Sequence, residues 1–81
     1  MTRREIMPRL PIVFGLQEAE AAAAIGIGAT KFRELVEDGR MPKPRLLDHR
    51  LVYDVDELRA AFKAMPHEGE QAAGNTWADV A

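Results

Sequence analysis

The sequence predicts a mainly α-helical domain with one small β-hairpin, and the observations that predict it lie within residues 16–53. A short Ala-rich helix is followed by a tight turn at 26–28 and by a second helix that ends at Gly39. A segment with Pro42 and Pro44 leads directly into a strand–turn–strand pattern. Two short helices joined by a Gly-containing turn make a helix-turn-helix, and a basic hairpin after it resembles a wing. The predicted fold class is a winged helix-turn-helix, whose second helix enters a DNA major groove.

The N-terminal residues 1–11 hold three arginines and two prolines. We interpret them as an extended, flexible basic arm that precedes a winged helix-turn-helix domain over residues 12–65. The apolar run at 12–14 is stopped by Gly15. This run is expected either to form a strand that pairs with the hairpin or to anchor the chain in the core.

The first helix of the pair is predicted over residues 17–25. Alanine is the best helix former, and four alanines are consecutive at 21–24. Ala21, Ala24 and Ile25 recur at helical spacing and are expected to be buried. Gly26 suits the left-handed residue after a helix.

The second helix, which we name the recognition helix, is predicted over residues 29–38 with Gly28 as its N-cap. Phe32, Leu35 and Val36 recur at i, i+3 and i+4 and are expected to face the core. Gly39 is expected to close the helix.

The predicted hairpin has arms at 45–47 and 51–53 around a turn at 48–50. Asp54 and Glu57 fit a capping box, which predicts a third helix from Val55 to about Ala64. Its apolar side is expected to bury Val55, Leu58 and Phe62.

Residues 66–81 contain glycines and acidic residues with few apolar ones, and we expect a flexible acidic tail. Trp77 and Val80 are the exceptions. A lone tryptophan in a polar tail indicates docking on the domain or on a neighbouring copy, so both residues are candidates for an oligomer contact.

Composition limits the classes of protein to which the chain can belong. Its 81 residues allow one domain with one small core. There is no cysteine, so neither a disulfide framework nor a thiolate metal site is predicted, and a reducing cytoplasm fits. No apolar run approaches the roughly 18 residues of a membrane span, and no secretory signal is evident. We therefore expect a cytoplasmic, nucleoid-associated bacterial protein without membrane contact.

The net charge of −2 is unevenly distributed along the chain. Residues 1–10 and 28–50 each carry +2, whereas residues 51–81 carry −4, so nine of the eleven Lys and Arg residues precede Leu51. Each phosphate that a cation neutralises adds affinity through counterion release. With so few cations, a single copy is expected to bind DNA weakly and to depend on cooperativity.

A family resemblance accompanies this pattern. The chain resembles the small winged helix-turn-helix proteins of the AlpA and excisionase type, which share the MerR-like DNA-binding unit, over roughly residues 16–62. The residues that carry the resemblance are Leu16, Glu20-Ala21-Ala22, Ile25-Gly26-Ile27, Phe32, Leu35-Val36, Asp38-Gly39-Arg40, Pro42-Lys43-Pro44, the hairpin up to Tyr53, Asp56 and Leu58.

The resemblance implies a prophage or integrative-element regulator. Many members are recombination directionality factors that bend attachment-site DNA and help a tyrosine recombinase to excise the element, and others regulate transcription. The family usually has Ser at the position of Gly28 and polar or basic residues around Ala29. Here, phosphate contacts at the helix N-terminus are left to the backbone N–H groups.

The candidate DNA-binding residues fall into three groups. Arg33 and Thr30 are expected to reach base edges, because Arg pairs well with guanine in the major groove. Glu37 is expected either to orient Arg33 at i+4 or to stay solvated, and Lys31 is expected to contact phosphate. Arg40, next to the helix stop, is expected to bind helix carbonyls or Asp38.

The full candidate set is Ala29, Thr30, Lys31, Arg33, Glu34 and Glu37 in the recognition helix, Lys43, Arg45, His49 and Arg50 in the wing, and Arg3, Arg4 and Arg9 in the arm.

No enzyme chemistry is expected. The two histidines, His49 and His67, are 18 residues apart without a supporting cysteine, which argues against zinc. The glycines at 26–28 lack the strand and third glycine of a dinucleotide fingerprint. We expect no catalytic residue, metal or cofactor.

The sequence therefore favours an excisionase that binds double-stranded DNA cooperatively, associates head-to-tail and directs a tyrosine integrase towards excision. A transcriptional regulator on the same fold is the first alternative. A protein-interaction module without DNA binding is the second, and the acidic net charge favours it.

Overall fold

The computed structural model describes residues 1–70, and within them the chain forms four α-helices and a three-stranded antiparallel sheet. In chain order the elements are α1 (Arg3–Ile6), a 3₁₀ helix (Met7–Arg9), β1 (Gly15–Leu16), α2 (Glu18–Ala24), α3 (Ala29–Glu37), β2 (Arg45–Leu47), β3 (Arg50–Asp54) and α4 (Val55–Lys63).

The N-terminal segment differs from the extended arm that we expected. The Thr2 carbonyl accepts from the backbone N–H of Glu5 at 3.0 Å, and the Glu5 carboxylate accepts from the Thr2 N–H at 3.2 Å, so that both bonds order the first turn of α1. Pro8 then lies within the first turn of the 3₁₀ helix, where proline is tolerated. The prediction of an extended arm was therefore wrong, because local hydrogen bonds order these residues as two short helical turns.

The strand that pairs with the hairpin begins at Gly15, directly after the predicted apolar run at 12–14. Gly15 pairs with Asp54 and Leu16 with Tyr53. Ile12 and Phe14 are exposed, Phe14 to 81%, so they belong neither to a strand nor to the core. The segment is held instead by the backbone, since the carbonyl of Phe14 accepts from the Val55 N–H at 2.9 Å.

The helix pair α2–α3 follows the predicted boundaries within one residue at each end. Gly26 and Gly39 both have positive φ, of +88° and +90°. After α2, the Ile27 N–H donates to the Ala22 carbonyl at 3.0 Å, and after α3 the Arg40 N–H donates to the Leu35 carbonyl at 2.9 Å. Both helices thus end in a Schellman motif, which satisfies their last carbonyls. Gly28 is the N-cap of α3, as predicted.

The hairpin has a shorter turn than the predicted one. Leu47 pairs with Arg50 and Arg45 with Val52, so Arg50 belongs to β3 and the turn contains only Asp48 and His49. Asp48 takes a left-handed φ of +56°, which Asp tolerates better than most residues. β3 is the central strand, in the order β1-β3-β2.

The last helix, α4, begins at Val55, where the Asp54 carboxylate accepts from the Glu57 N–H at 3.0 Å. Only half of the predicted capping box forms, because the Glu57 carboxylate binds Arg45 instead of reaching back. Phe62 is half exposed, so the prediction that it is buried was wrong, whereas Leu58 is buried as expected.

The core lies between the α2–α3 pair, β3 and α4. The ring of Phe32 is fully buried and meets the ring of Tyr53 edge-to-face, with centroids 4.9 Å apart. Such aromatic pairs add about 0.5–1.5 kcal/mol beyond area burial. Ala24, which we expected to be buried, is exposed, and Ala22 occupies the core beside Ala21 instead. The buried residues are Ala21, Ala22, Phe32, Leu35, Met41, Tyr53 and Leu58.

Within residues 1–70, no helix has the length and apolar character needed to cross a membrane. The predicted acidic tail is described only up to Glu70, whose N–H closes a turn on the His67 carbonyl at 2.9 Å. Trp77 and Val80 lie outside the described residues.

Candidate nucleic-acid interface

The polar side of α3 carries the largest of the three groups of predicted contacts. α3 buries Phe32 and Leu35 against the core, and Val36 is half-buried beside them. At 100° per residue, this packing turns the polar residues outwards. Ala29 is half-buried at the first helical position and is the exception. The exposed members of the predicted set are Thr30, Lys31, Arg33, Glu34 and Glu37.

Arg33 is held by Glu18, a residue of the neighbouring helix α2. Its Nε donates to Glu18 Oε2 at 3.1 Å, and its Nη2 donates to Glu18 Oε1 at 2.8 Å. These hydrogen bonds lower the pKa of the Glu18 carboxyl and raise that of Arg33. Glu37, the predicted orienting residue, makes no hydrogen bond to Arg33 within the described chain. Glu37 is exposed, so of the two roles expected for it the structure shows the solvated one, and the carboxylate that contacts Arg33 comes from another helix.

The other two cations near α3 also pair locally. Lys31 Nζ lies 3.1 Å from Glu34 Oε1, an exposed i,i+3 pair of small energetic value. Arg40 makes a bidentate contact with Asp38, as anticipated, with Nη2 to Oδ2 at 2.7 Å. The Arg40 guanidinium lowers the pKa of Asp38.

The cations of the hairpin segment divide into two kinds. Arg45 lies at the base of the hairpin, where its Nε donates to Asp54 Oδ2 at 3.2 Å and its Nη2 to Glu57 Oε2 at 2.6 Å. Lys43, His49 and Arg50 are exposed and make no ion pair with any residue of 1–70. Arg45 therefore braces β2 against α4, and the other three are available to a ligand.

Of the three arginines in α1 and the 3₁₀ helix, Arg3 lies beside the sheet. Arg3 makes a bidentate contact with Glu20 of α2, at 2.7 and 2.6 Å. Arg3 and Arg50 also line one surface cavity of about 520 Å³ together with Gln17. Arg4 and Arg9 make no ion pair within the described residues. The structure thus brings one predicted arm cation next to one predicted wing cation.

Apolar side chains project from the same hairpin. Leu46 and Leu51 face each other across the two strands and are 67% and 58% exposed, and Leu47 is exposed on the opposite face. The sequence pattern predicted the strands but not this exposure, because the core ends at Tyr53 and the hairpin extends beyond it.

Glu18, Glu20 and Asp54 were not predicted as members of the site. No helical periodicity links Glu18 to Arg33, which is 15 residues away in another helix. The pairing of Arg45 with Asp54 had a signal in the sequence. A two-residue turn at 48–49 sets a register that places these residues diagonally on one face of the hairpin.

Among residues 1–70, no three His, Cys, Asp or Glu side chains cluster closely enough to hold a metal ion. Comparisons of the chain with protein-family models, with curated proteins and with solved structures gave no match.

Proposed function

We propose that this chain is a winged helix-turn-helix protein that binds double-stranded DNA, with α3 in the major groove and the hairpin β2–β3 as the wing. The observation that supports it best is the outward polar face of α3, on which Arg33 is held in one orientation by Glu18. A side chain whose geometry is fixed before binding loses less conformational entropy when it contacts a base.

The distribution of unpaired cations also supports DNA binding. Six of the eleven Lys and Arg residues pair with carboxylates of the described chain: Arg3, Lys31, Arg33, Arg40, Arg45 and Arg59. Of the five remaining cations, Lys63 lies at the end of α4; the other four are Lys43, which precedes the hairpin, Arg50, which lies in it, and Arg4 and Arg9 in the N-terminal turns. These four are the phosphate contacts that the proposal requires.

A salt titration of DNA binding tests the proposal. Each phosphate contact changes the slope of log K against log salt by about −0.9, so four cations give a slope no steeper than about −4. We expect binding to a mixed-sequence duplex at about 50 mM salt that weakens along this slope. A chain that binds no duplex at that ionic strength is not a DNA-binding protein of this kind.

Arg33→Ala is expected to remove about 1–3 kcal/mol of discrimination between sequences while leaving the fold intact. The matched control is Arg59→Ala, which removes the same charge from an exposed i,i+3 pair on α4. Unchanged sequence preference in Arg33→Ala, relative to Arg59→Ala, contradicts the assignment of α3 as the recognition helix.

The biological role that we propose is that of an excisionase, or recombination directionality factor. Several copies bind adjacent sites head-to-tail, bend attachment-site DNA and direct a tyrosine integrase towards excision. The scarcity of unpaired cations supports cooperative binding, since one copy has few phosphate contacts. Nuclease footprints distinguish this role from transcriptional regulation: repeated sites beside an attachment core indicate excision, and a single operator at a promoter indicates regulation.

A protein-interaction module is the second candidate function, and the exposed leucines of the hairpin favour it. Contiguous exposed apolar side chains mark interaction surfaces, and the facing pair Leu46 and Leu51 is more than half exposed. The salt titration separates the two candidates, because a pure interaction module has no affinity for DNA at low salt.

A further inference from the structure

We infer that Glu18 is the positioning residue that makes Arg33 selective for guanine; this inference rests on the proposed DNA-binding function. Glu18 occupies the side edge of the Arg33 guanidinium, formed by Nε and Nη2, and leaves the end of the fork, formed by Nη1 and Nη2, free to face a ligand. An Arg fork is planar and rigid, and it matches the O6 and N7 acceptors of guanine in the major groove.

Helix position and exposure distinguish the two members of the Glu18–Arg33 pair. Glu18 lies in the first turn of α2, where the helix dipole stabilises a carboxylate. Its side chain is 36% exposed and that of Arg33 is 57% exposed, so Arg33 is the member of the pair that is more accessible to a ligand. The contact joins α2 and α3, whose relative position is fixed by the core. It therefore holds Arg33 against a second helix and not merely against a neighbouring turn of α3.

No carboxylate of α3 competes for this role. Glu34 is engaged by Lys31, and Glu37 acts on Arg33 only as a nearby charge. Arg33 therefore has one strong partner within the described chain.

The Glu18–Arg33 pair is expected to lower the affinity for DNA of any sequence and to raise the preference for guanine. An Arg33 without Glu18 is a mobile cation that contacts any phosphate. The Glu18–Arg33 pair, by contrast, has a net charge near zero, and its guanidinium is held in one orientation. Removal of the Glu18 charge should therefore strengthen binding to unrelated DNA while weakening the preference for guanine. Mere destabilisation of the fold would weaken both.

The test uses the full chain and a duplex that the wild type selects from a randomised pool at low salt. Each guanine of that duplex is replaced in turn by 7-deazaguanine, which lacks the N7 acceptor, and by adenine. For the wild type, replacement of at least one guanine is expected to weaken binding by roughly 5- to 100-fold, as for a bidentate contact. For Glu18→Gln, the penalty at that guanine should fall to below about 3-fold, while affinity for an unrelated duplex rises.

Glu20→Gln is the matched control, because Glu20 lies in the same helix turn and holds Arg3 by the same bidentate contact. It removes the same charge but should leave the guanine penalty at its wild-type value. Thermal unfolding of both variants, and the Arg33 Nε–H resonance in the free protein, show whether the fold and the pair persist. That resonance should be slow to exchange in the wild type and in Glu20→Gln, and lost in Glu18→Gln.

The outcomes separate the inference from the function on which it rests. DNA binding with the full guanine penalty retained in Glu18→Gln overturns the role of Glu18 and leaves the proposed function standing. A wild type that binds DNA without any guanine penalty also overturns the inference alone. Absence of DNA binding at low salt overturns both.

Discussion

Three glycines next to the helix pair differ in backbone conformation, and the difference decides which of them the chain requires. Gly26 and Gly39 have positive φ values of +88° and +90°, where L-residues are strained by roughly 1–2 kcal/mol. Gly28 has a φ of −80° and a ψ of 164°, which any residue adopts. Side chains would meet no atoms at Gly26 or Gly28. Gly28 is therefore replaceable, and Gly26 is not.

Gly28→Ser is expected to stabilise the fold by a few tenths of a kcal/mol, because the serine oxygen can accept from an N–H of the first turn of α3. Gly26→Ser is the matched control, with the same side chain in equally open space. It should destabilise the fold by about 1 kcal/mol or more because of its positive φ. Chemical denaturation measures both, and equal effects at the two positions would contradict this reasoning.

Among the elements, the hairpin β2–β3 combines two kinds of surface. Unpaired cations, Lys43 and Arg50, accompany an exposed leucine pair, Leu46 and Leu51. Proteins that bind the minor groove often insert apolar side chains between base steps and bend the duplex. The two surfaces therefore make separable contributions to binding in the proposed complex: phosphate contact by the cations and apolar contact by the leucines.

The double substitution Leu46→Thr and Leu51→Thr is expected to weaken DNA binding several-fold without changing its salt slope, since no phosphate contact is lost. Arg50→Ala should instead reduce the slope by about 0.9. Thr suits a strand, so the fold should persist, and Leu47→Thr on the opposite face serves as control. If the double variant binds DNA as the wild type does, the leucines serve a different partner.

At the scale of the whole molecule, ion pairs connect α2 to both neighbouring helices and β2 to α4. Glu20 holds Arg3, Glu18 holds Arg33, and Glu57 holds Arg45. The hydrogen bonds from Arg3 lower the pKa of Glu20, as those from Arg33 lower that of Glu18. Exposed pairs of this kind contribute little individually, so the core remains the main source of stability.

The lowered pKa values of Glu18 and Glu20 determine how the stability of the fold changes as the pH falls. A carboxyl whose pKa is lower in the folded chain stabilises the fold fully above its ordinary value, here 4.5 for Glu18 and Glu20. That contribution is lost as the pH falls through the lowered value. We expect the melting temperature to fall from about pH 5 to about pH 3, and to fall less in the double variant Glu18→Gln and Glu20→Gln. Circular dichroism measures both, and parallel curves for the two proteins would show that these pairs contribute nothing.

The helix pair, its glycine stops and the hairpin strands were predictable because their signals are local. Spacing at i, i+3 and i+4 located Phe32 and Leu35 in the core, and the positive φ at Gly26 follows from chain geometry alone. The burial of apolar residues at the edge of the core was less predictable. Ala24 and Phe62 have the apolar character of core residues but are exposed and line a surface cavity between α2 and α4.

The sequence by itself determined which residues of α3 face outwards, since helical periodicity and a small core leave one arrangement that buries Phe32. Only the tertiary structure decided which carboxylate Arg33 contacts and which cations of the hairpin segment make no ion pair within residues 1–70. Those contacts depend on how α2 packs against α3 and β2 against α4, between residues 15 and 12 positions apart. Electrostatic partners at such separations are selected by packing in three dimensions, for which the linear spacing of charges carries no signal.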